Sequence, residues 1–283
     1  MNSFTRDLIT WIENNLERKL LLDDVSVKAG YSKWYLQRLF RAETGLALAS
    51  YIRHRKLYRA AIMLKMTSLS VIEITEKLGF STQQTLTRTF KRHFGQAPGR
   101  YRESALWNFE GLIPKLTSGK PDLPCPQLVM ARLQSMQGIN LVYTCKSSQL
   151  DSENFHTEQR RKLLSVVREK TQGNFPAYMA ESCEPMPGNS DRIKFNLTFF
   201  SGLPQRYPSR EDPEAFLCFP FRGSRDQLTE MQINIYRHIM PFRYESRRNG
   251  HDFFIREDEK ELTEYNSVLH GSYYIPVSDT HNK

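Results

Sequence analysis

The sequence predicts a multidomain protein in which an all-α double helix-turn-helix domain precedes an α+β domain. Three observations predict this. Residues 3 to about 103 carry helical periodicity punctuated by glycines; a block near residue 30 returns near residue 80; and beyond residue 126 short strand-like runs alternate with two helical ones. Charge divides at the same place: of 40 Lys+Arg and 31 Asp+Glu, 18 and 9 fall in residues 1–103, leaving 22 of each for 104–283. The net formal charge of +9 therefore belongs to the first third, as expected where one part meets a polyanion and the other does not. A chain of 283 residues is long enough for two cores, and the expected division is 1–107, a linker at 108–123, and 124–283.

Taken in order, Leu8, Trp11, Ile12 and Leu16 fall near one face of a first helix. Gly30, Gly45, Gly79 and Gly95 sit where helices end, Ser32 can cap the helix that follows it, and Ser70-Val71-Ile72-Glu73 is a capping box. Leu57, Ala60, Ala61 and Leu64 recur at i, i+3, i+4 and i+7 in a long helix between the two blocks. Pro114, Gly119, Pro121, Pro124 and Pro126 then interrupt any helix, and the polar stretch 115–122 reads as linker. Strands are expected at 128–133, 139–145, 193–200, 215–221, 252–255 and 269–277, with helices at 154–171 and from 224 to about 240. That order implies an antiparallel sheet with helices on one face.

The repeat carries the chemistry. Gly30-Tyr31-Ser32-Lys33-Trp34-Tyr35-Leu36-Gln37-Arg38-Leu39-Phe40-Arg41 compares with Gly79-Phe80-Ser81-Thr82-Gln83-Gln84-Thr85-Leu86-Thr87-Arg88-Thr89-Phe90-Lys91. Aligned on Phe40 and Phe90, the offset of 50 pairs Leu36 with Leu86, Arg38 with Arg88, Arg41 with Lys91 and Gly45 with Gly95. Each copy follows a short helical segment and a glycine turn, which makes a helix-turn-helix. Leu36, Leu39 and Phe40, like Leu86, Phe90 and Phe94, form a stripe that must face a core. The opposite stripe is Trp34, Gln37, Arg38 and Arg41 in one copy and Gln84, Thr87, Arg88 and Lys91 in the other, at i, i+3, i+4 and i+7 in both. Arginine matches guanine O6 and N7, glutamine matches adenine N6 and N7, and an apolar group meets the thymine methyl. Arg41 and Lys91, at the outer ends, suit phosphates.

Between the copies, Tyr51-Ile52-Arg53-His54-Arg55-Lys56-Leu57-Tyr58-Arg59 opens the long helix, a rigid spacer that can set two recognition helices about one DNA turn apart, roughly 34 Å. Its cations suit either phosphate contact or an exposed face that touches nothing.

The phrases 30–38 and 83–91, with Pro98-Gly99-Arg100-Tyr101-Arg102, resemble the AraC/XylS family of bacterial transcription regulators, in the subgroup of MarA and SoxS. The resemblance covers about residues 3–103. It implies a seven-helix reader that binds double-stranded promoter DNA as a monomer and recruits RNA polymerase as an activator, in a stress or multidrug resistance response. Lys33, Trp34, Gln37, Arg38 and Arg41 in the first motif, and Gln83, Gln84, Thr85, Thr87, Arg88 and Lys91 in the second, are the DNA-binding candidates. Ser26 and Thr75 stand where the family usually has alanine, which predicts tighter packing demands. The weaker phrases 140–145, 235–241 and 273–277 resemble the GyrI-like effector-binding fold, a pseudo-symmetric sheet with a ligand groove. Ligand-binding members usually carry a glutamate four residues before the last proline; here Ser272 takes that position, with Tyr274 on the same strand face as a further pocket candidate. A small-molecule or protein effector is thus implied, and a hydrophobic cation would lack its charge partner there.

Other classes find little support. The histidines show no His-Glu-x-x-His spacing and no Gly-x-Ser-x-Gly elbow occurs, so an enzyme is not expected, nor is a metal or other cofactor. Cys125, Cys145, Cys183 and Cys218 match no zinc or redox spacing and suit buried free thiols in a reducing compartment. No signal peptide or spanning run is readable, so the expected place is the bacterial cytoplasm and nucleoid, with no membrane partner. An architectural or origin-binding protein that does not activate transcription would use the same helices.

Overall fold

A computed structural model describes residues 1–109, 112–117, 119, 121–131, 133, 138–150, 152–171, 178–188, 190–200, 214–257 and 267–278. The first hundred residues form α1 (Ser3–Asn14), α2 (Leu22–Ala29), α3 (Lys33–Thr44), α4 (Leu48–Met66), α5 (Val71–Lys77), α6 (Gln83–Phe94) and α7 (Pro98–Glu103). The expected punctuation sets their ends. Ser32 accepts from Tyr35 N at the start of α3, Ser70 and Glu73 close the capping box of α5, and Gly45 and Gly95 end α3 and α6 in the left-handed region.

The second part holds β1 (Leu106–Trp107), β2 (Gln127–Ala131), β3 (Ile139–Lys146), α8 (Glu153–Lys170), β4 (Tyr178–Pro185), β5 (Arg192–Phe200), β6 (Glu214–Gly223), α9 (Arg225–His238), β7 (Arg247–Arg248), β8 (Asp252–Arg256) and β9 (Leu269–Pro276). Among the described residues the main sheet runs β2-β6-β9-β8-β4-β5-β3, antiparallel throughout. Its topology contains two β-α-β-β units, β3-α8-β4-β5 and β6-α9-β8-β9, joined through β4 and β8 at the centre. Strand β4 has no counterpart in the sequence reading, because Tyr178-Met-Ala-Glu-Ser-Cys-Glu-Pro lacks the apolar alternation that marks a strand.

Burial divides the molecule differently from the charge. One core takes Leu8, Ile9 and Ile12 of α1, Val25, Leu36 and Phe40 of the first motif, and Leu48, Tyr51 and Ile52 from the start of α4. A second runs without a break from the second motif (Ile74, Leu86, Phe90) through the rest of α4 (Leu57 to Met66) into the sheet and its helices (Phe195, Phe219, Ile235, Tyr273), and a smaller third holds Ala180, Phe216, Phe253 and Tyr274. The stretch expected to be a polar linker is part of this packing. Trp107, Phe109 and Leu112 are buried, Ile113 and Leu116 rest on the first core, and β1 pairs with β7. The apolar side chains lie mostly ahead of the polar stretch 115–122, within which Leu116 is the one that packs on a core among the described residues up to 119.

Candidate nucleic-acid interface

Helices α3 and α6 each bury one stripe and expose the other. Leu36 and Phe40 are buried in α3, while Lys33, Trp34, Gln37, Arg38 and Arg41 are exposed. Leu86, Phe90 and Phe94 are buried in α6, with Gln83, Gln84, Arg88 and Lys91 exposed and Thr85 and Thr87 half-buried. Trp34 is 68% exposed, a large apolar side chain that packing does not account for. The Arg38 guanidinium lies over its ring, 5.5 Å from the centroid, which holds the two side chains side by side one helical turn apart. Lys33 pairs with Asp23 of α2 across the turn of the first motif. The Thr85 hydroxyl shares hydrogen bonds with Ser81 (3.2 Å) and Thr82 (3.0 Å), so it braces the start of α6 as well as lying at the candidate surface.

Gln37, Arg41, Gln84, Arg88 and Lys91 make no side-chain hydrogen bond or ion pair among the described residues. The cations of α4 do the opposite. Arg55 is fully buried, donating from Nε and Nη2 to the two Glu13 oxygens at 2.7 and 2.8 Å and from Nη1 to the Ile113 carbonyl at 2.9 Å. Arg59 donates to the Ser147 carbonyl at 3.2 Å. Lys56 donates to the carbonyls of Arg18 (2.7 Å) and Leu78 (2.6 Å), and burial brings its pKa down to about 8. Neither reading offered for the α4 cations covers these three: Arg55, Lys56 and Arg59 are internal braces, and only Arg53 of that run is an exposed cation. With charged side chains buried on several sides, α4 is a central strut about 28 Å long.

The strut holds the motifs in register. Lys56 ties the end of α5 to the chain after α1, and Gly79, in the turn of the second motif with φ +62°, approaches the same backbone so closely that an added Cβ would lie 2.2 Å from Lys19 N. At the far end, Tyr101 of α7 packs on Phe90 and Phe94 and donates to the Asn108 carbonyl at 2.8 Å. Arg102 caps carbonyls of Leu64 and Leu69. Ser26 and Thr75, the departures from alanine, are satisfied locally: Ser26 donates to the Tyr31 carbonyl at 2.6 Å, and Thr75 to that of Val71 at 2.7 Å.

The sheet part docks on the side of α4 and α5. Ser68 Oγ donates to the Met186 carbonyl (2.6 Å) and accepts from Ser190 N (2.9 Å), and Lys77 bridges Glu17 (2.9 Å) and Asp191 (3.0 Å). Ser272 and Tyr274 face away from α8 and α9. Ser272 Oγ lies 3.0 Å from Glu257 Oε1, and Tyr274 packs with Phe216 and Phe253. Strand alternation puts their neighbour Tyr273 on the helix side, where the sheet carries a cavity. A carboxylate therefore does reach Ser272, from the end of β8, and the residues turned to the cavity are one position out of step with the two expected. Cys145 is buried, which pushes its thiol up to about 12 and away from thiolate reactivity; Cys125 is exposed. No described helix is long and apolar enough to cross a membrane.

Residues 25–104 match the family described as a helix-turn-helix domain. Over 267 residues the chain is 30% identical to the transcriptional regulator Rob of Salmonella typhimurium, spanning 90% of this chain and 91% of that one. It is 31% identical over 270 residues to the right origin-binding protein of Escherichia coli, again spanning 90% and 91%. It is 50% identical over 95 residues to the multiple antibiotic resistance protein MarA of Salmonella typhimurium, spanning 34% of this chain and 75% of MarA.

Proposed function

This chain belongs to the AraC/XylS family of Rob and MarA, and from that premise we propose that it is a sequence-specific transcription regulator whose α3 and α6 enter successive major grooves of promoter DNA as one monomer. The observation that carries the reading is the contrast between cations. Arg55, Lys56 and Arg59 of α4 are buried and engaged, whereas Arg41, Arg88 and Lys91 stand exposed beside Gln37 and Gln84 on two equivalent helix faces. Arg38 and Arg88 read bases, each beside a glutamine, and Arg41 and Lys91 hold phosphates. Lys33, Gln83, Thr85 and Thr87 complete the surface, and Trp34 presents its ring to a thymine methyl or the groove wall. Identity to MarA over 95 residues, about the length of α1–α7, supports a reader of about residues 1–107 that works as a unit.

A place in a multidrug resistance response extends this reading from the name of MarA, and activation through RNA polymerase, in a stress response, from the family resemblance of residues 30–38 and 83–91. The sheet part, 124–283, is a GyrI-like unit that senses a small molecule or partner. Its two β-α-β-β units joined at β4 and β8 support that assignment. Genome-wide footprinting of the full chain, followed by transcription from the strongest single site, tests the proposal. Arg38→Ala and Arg88→Ala should each cost about 1–3 kcal/mol at a specific site and relax discrimination at one base position. Unchanged specific binding in both variants removes the recognition faces. Binding without any effect on transcription leaves an architectural protein.

A further inference from the structure

The repeat that makes the two recognition helices alike breaks at one pair of positions. With Leu36 aligned on Leu86, Tyr35 corresponds to Thr85, and Tyr31, just after the turn glycine, corresponds to Phe80. In the second motif both are used within the protein. The Thr85 hydroxyl is shared with Ser81 and Thr82, and the Lys56 ammonium lies over Phe80, 5.9 Å from the ring centroid. In the first motif both are turned outward: Tyr31 is 43% and Tyr35 44% exposed, and neither hydroxyl makes a hydrogen bond among the described residues.

The two rings are nevertheless held in place. Their centroids are 4.9 Å apart, and Phe4 of α1 meets Tyr31 edge-on at 5.2 Å. Ser26 donates to the Tyr31 carbonyl, and Asn2 N and Nδ2 donate to the Glu43 carboxylate at 2.9 and 3.3 Å, which ties the start of α1 to the end of α3. A tyrosine has only two side-chain torsions to fix, so one stacked in this way presents its hydroxyl at little entropic cost.

Its position on the helix gives the hydroxyl a direction. Tyr35 lies about 100° round α3 from Trp34 and about 60° from Arg38, between the exposed stripe and buried Leu36. An α-helix about 10–12 Å across fills a major groove about 12 Å wide, so side chains on the stripe meet bases while those on its flank meet the sugar-phosphate wall.

We propose that Tyr35 anchors α3 in its groove, its hydroxyl donating to a backbone phosphate beside the bases that Trp34 and Arg38 read, with Tyr31 as the positioning residue that holds the ring. The anchor rests on the reading of α3 as a recognition helix. It makes the two motifs unequal, because the corresponding hydroxyl of α6 is engaged at the start of its own helix. It is also uncharged on the protein side, so it adds affinity without the counterion release that a lysine or arginine brings.

Binding of the full chain to a duplex carrying its strongest footprinted site tests the anchor. Tyr35→Phe keeps the stacked rings and removes only the hydroxyl. It should weaken binding by about tenfold, the loss of one hydrogen bond to a charged acceptor, with the salt slope unchanged. In a set of duplexes each carrying one methylphosphonate, one position should weaken the unmodified chain clearly more than Tyr35→Phe. Tyr31→Leu should weaken the unmodified chain by about threefold and Tyr35→Phe no further, which a general loosening of the fold would not do. Unchanged affinity in Tyr35→Phe, a salt slope lowered by about 1, or equal losses of both chains at every methylphosphonate overturns the anchor. If Arg38→Ala weakens specific binding and Tyr35→Phe does not, the anchor alone falls. If neither weakens it, α3 is not a recognition helix and the anchor falls with that reading.

Discussion

Gly79→Ala isolates what holds the two recognition helices in register. At φ +62° an alanine pays the left-handed backbone cost of roughly 1–2 kcal/mol. Its Cβ would also sit 2.2 Å from Lys19 N and 2.3 Å from Arg18 C, both backbone atoms that no rotamer change can move aside. Forcing that contact open resembles overpacking a core, about 1–3 kcal/mol more, for a total of roughly 2–5 kcal/mol. The repeat supplies its own control. Gly30, the corresponding glycine of the first motif, has φ +69° with nothing within 4 Å of an added Cβ, so Gly30→Ala should cost only roughly 1–2 kcal/mol. Urea titration of the full chain, followed by helical circular dichroism, measures both. Because α6 begins four residues after Gly79, the displaced turn should also weaken specific DNA binding beyond the effect of Gly30→Ala. Equal losses of stability at the two glycines would refute the close approach as the source of register.

Further outcomes follow from the buried and exposed charges. Arg41→Ala and Lys91→Ala should each lower the salt slope of DNA binding by about 1, whereas Arg59→Met, whose guanidinium faces Ser147, should leave the slope unchanged; filter binding across a salt series decides. Glu13→Leu should destabilise by about 3–5 kcal/mol because it strands the buried Arg55, while Glu13→Leu with Arg55→Met should cost clearly less; a double-mutant cycle in urea checks the ordering. Burial first, then His93 and Arg53, hold His54 below the usual imidazole range. The unfolded chain therefore binds the proton at higher pH than the folded one, and stability declines as pH falls below about 6.5. His238 acts in the same direction, so His54→Gln should flatten the slope of midpoint against pH without abolishing it.

Much of the reader was legible in the residues because its determinants are local or repeated. Caps, glycine stops and the i, i+3, i+4, i+7 stripes lie within one helix each, and two copies fifty residues apart mark a candidate recognition face. Trp34, Gln37, Arg38, Gln84 and Arg88 are exposed on those faces. The α4 cations were not legible. Arg55, Lys56 and Arg59 look like any basic helix until Glu13, Leu78 and Ser147, between 22 and 88 residues away, arrive to receive them.

The second part shows the same limit more sharply. Strand β4 hides because Glu181 reads as a solvent residue, and Arg160 on α8, together with the charge of Arg247, makes its burial tolerable. On β9 the alternation was visible but its direction was not: which of Ser272 and Tyr273 meets the cavity depends on which face α8 and α9 cover. By itself, then, the amino-acid sequence determined the helices of the first part, their ends, the repeated exposed polar face and the charge that belongs to it, since each is encoded within a few turns of chain. Only the tertiary structure decided which cations are braces, where the polar stretch after α7 packs, and that the second motif shares a core with the sheet. Those outcomes depend on partners distant in sequence, and burial of a charge is decided by whether such a partner is there to meet it.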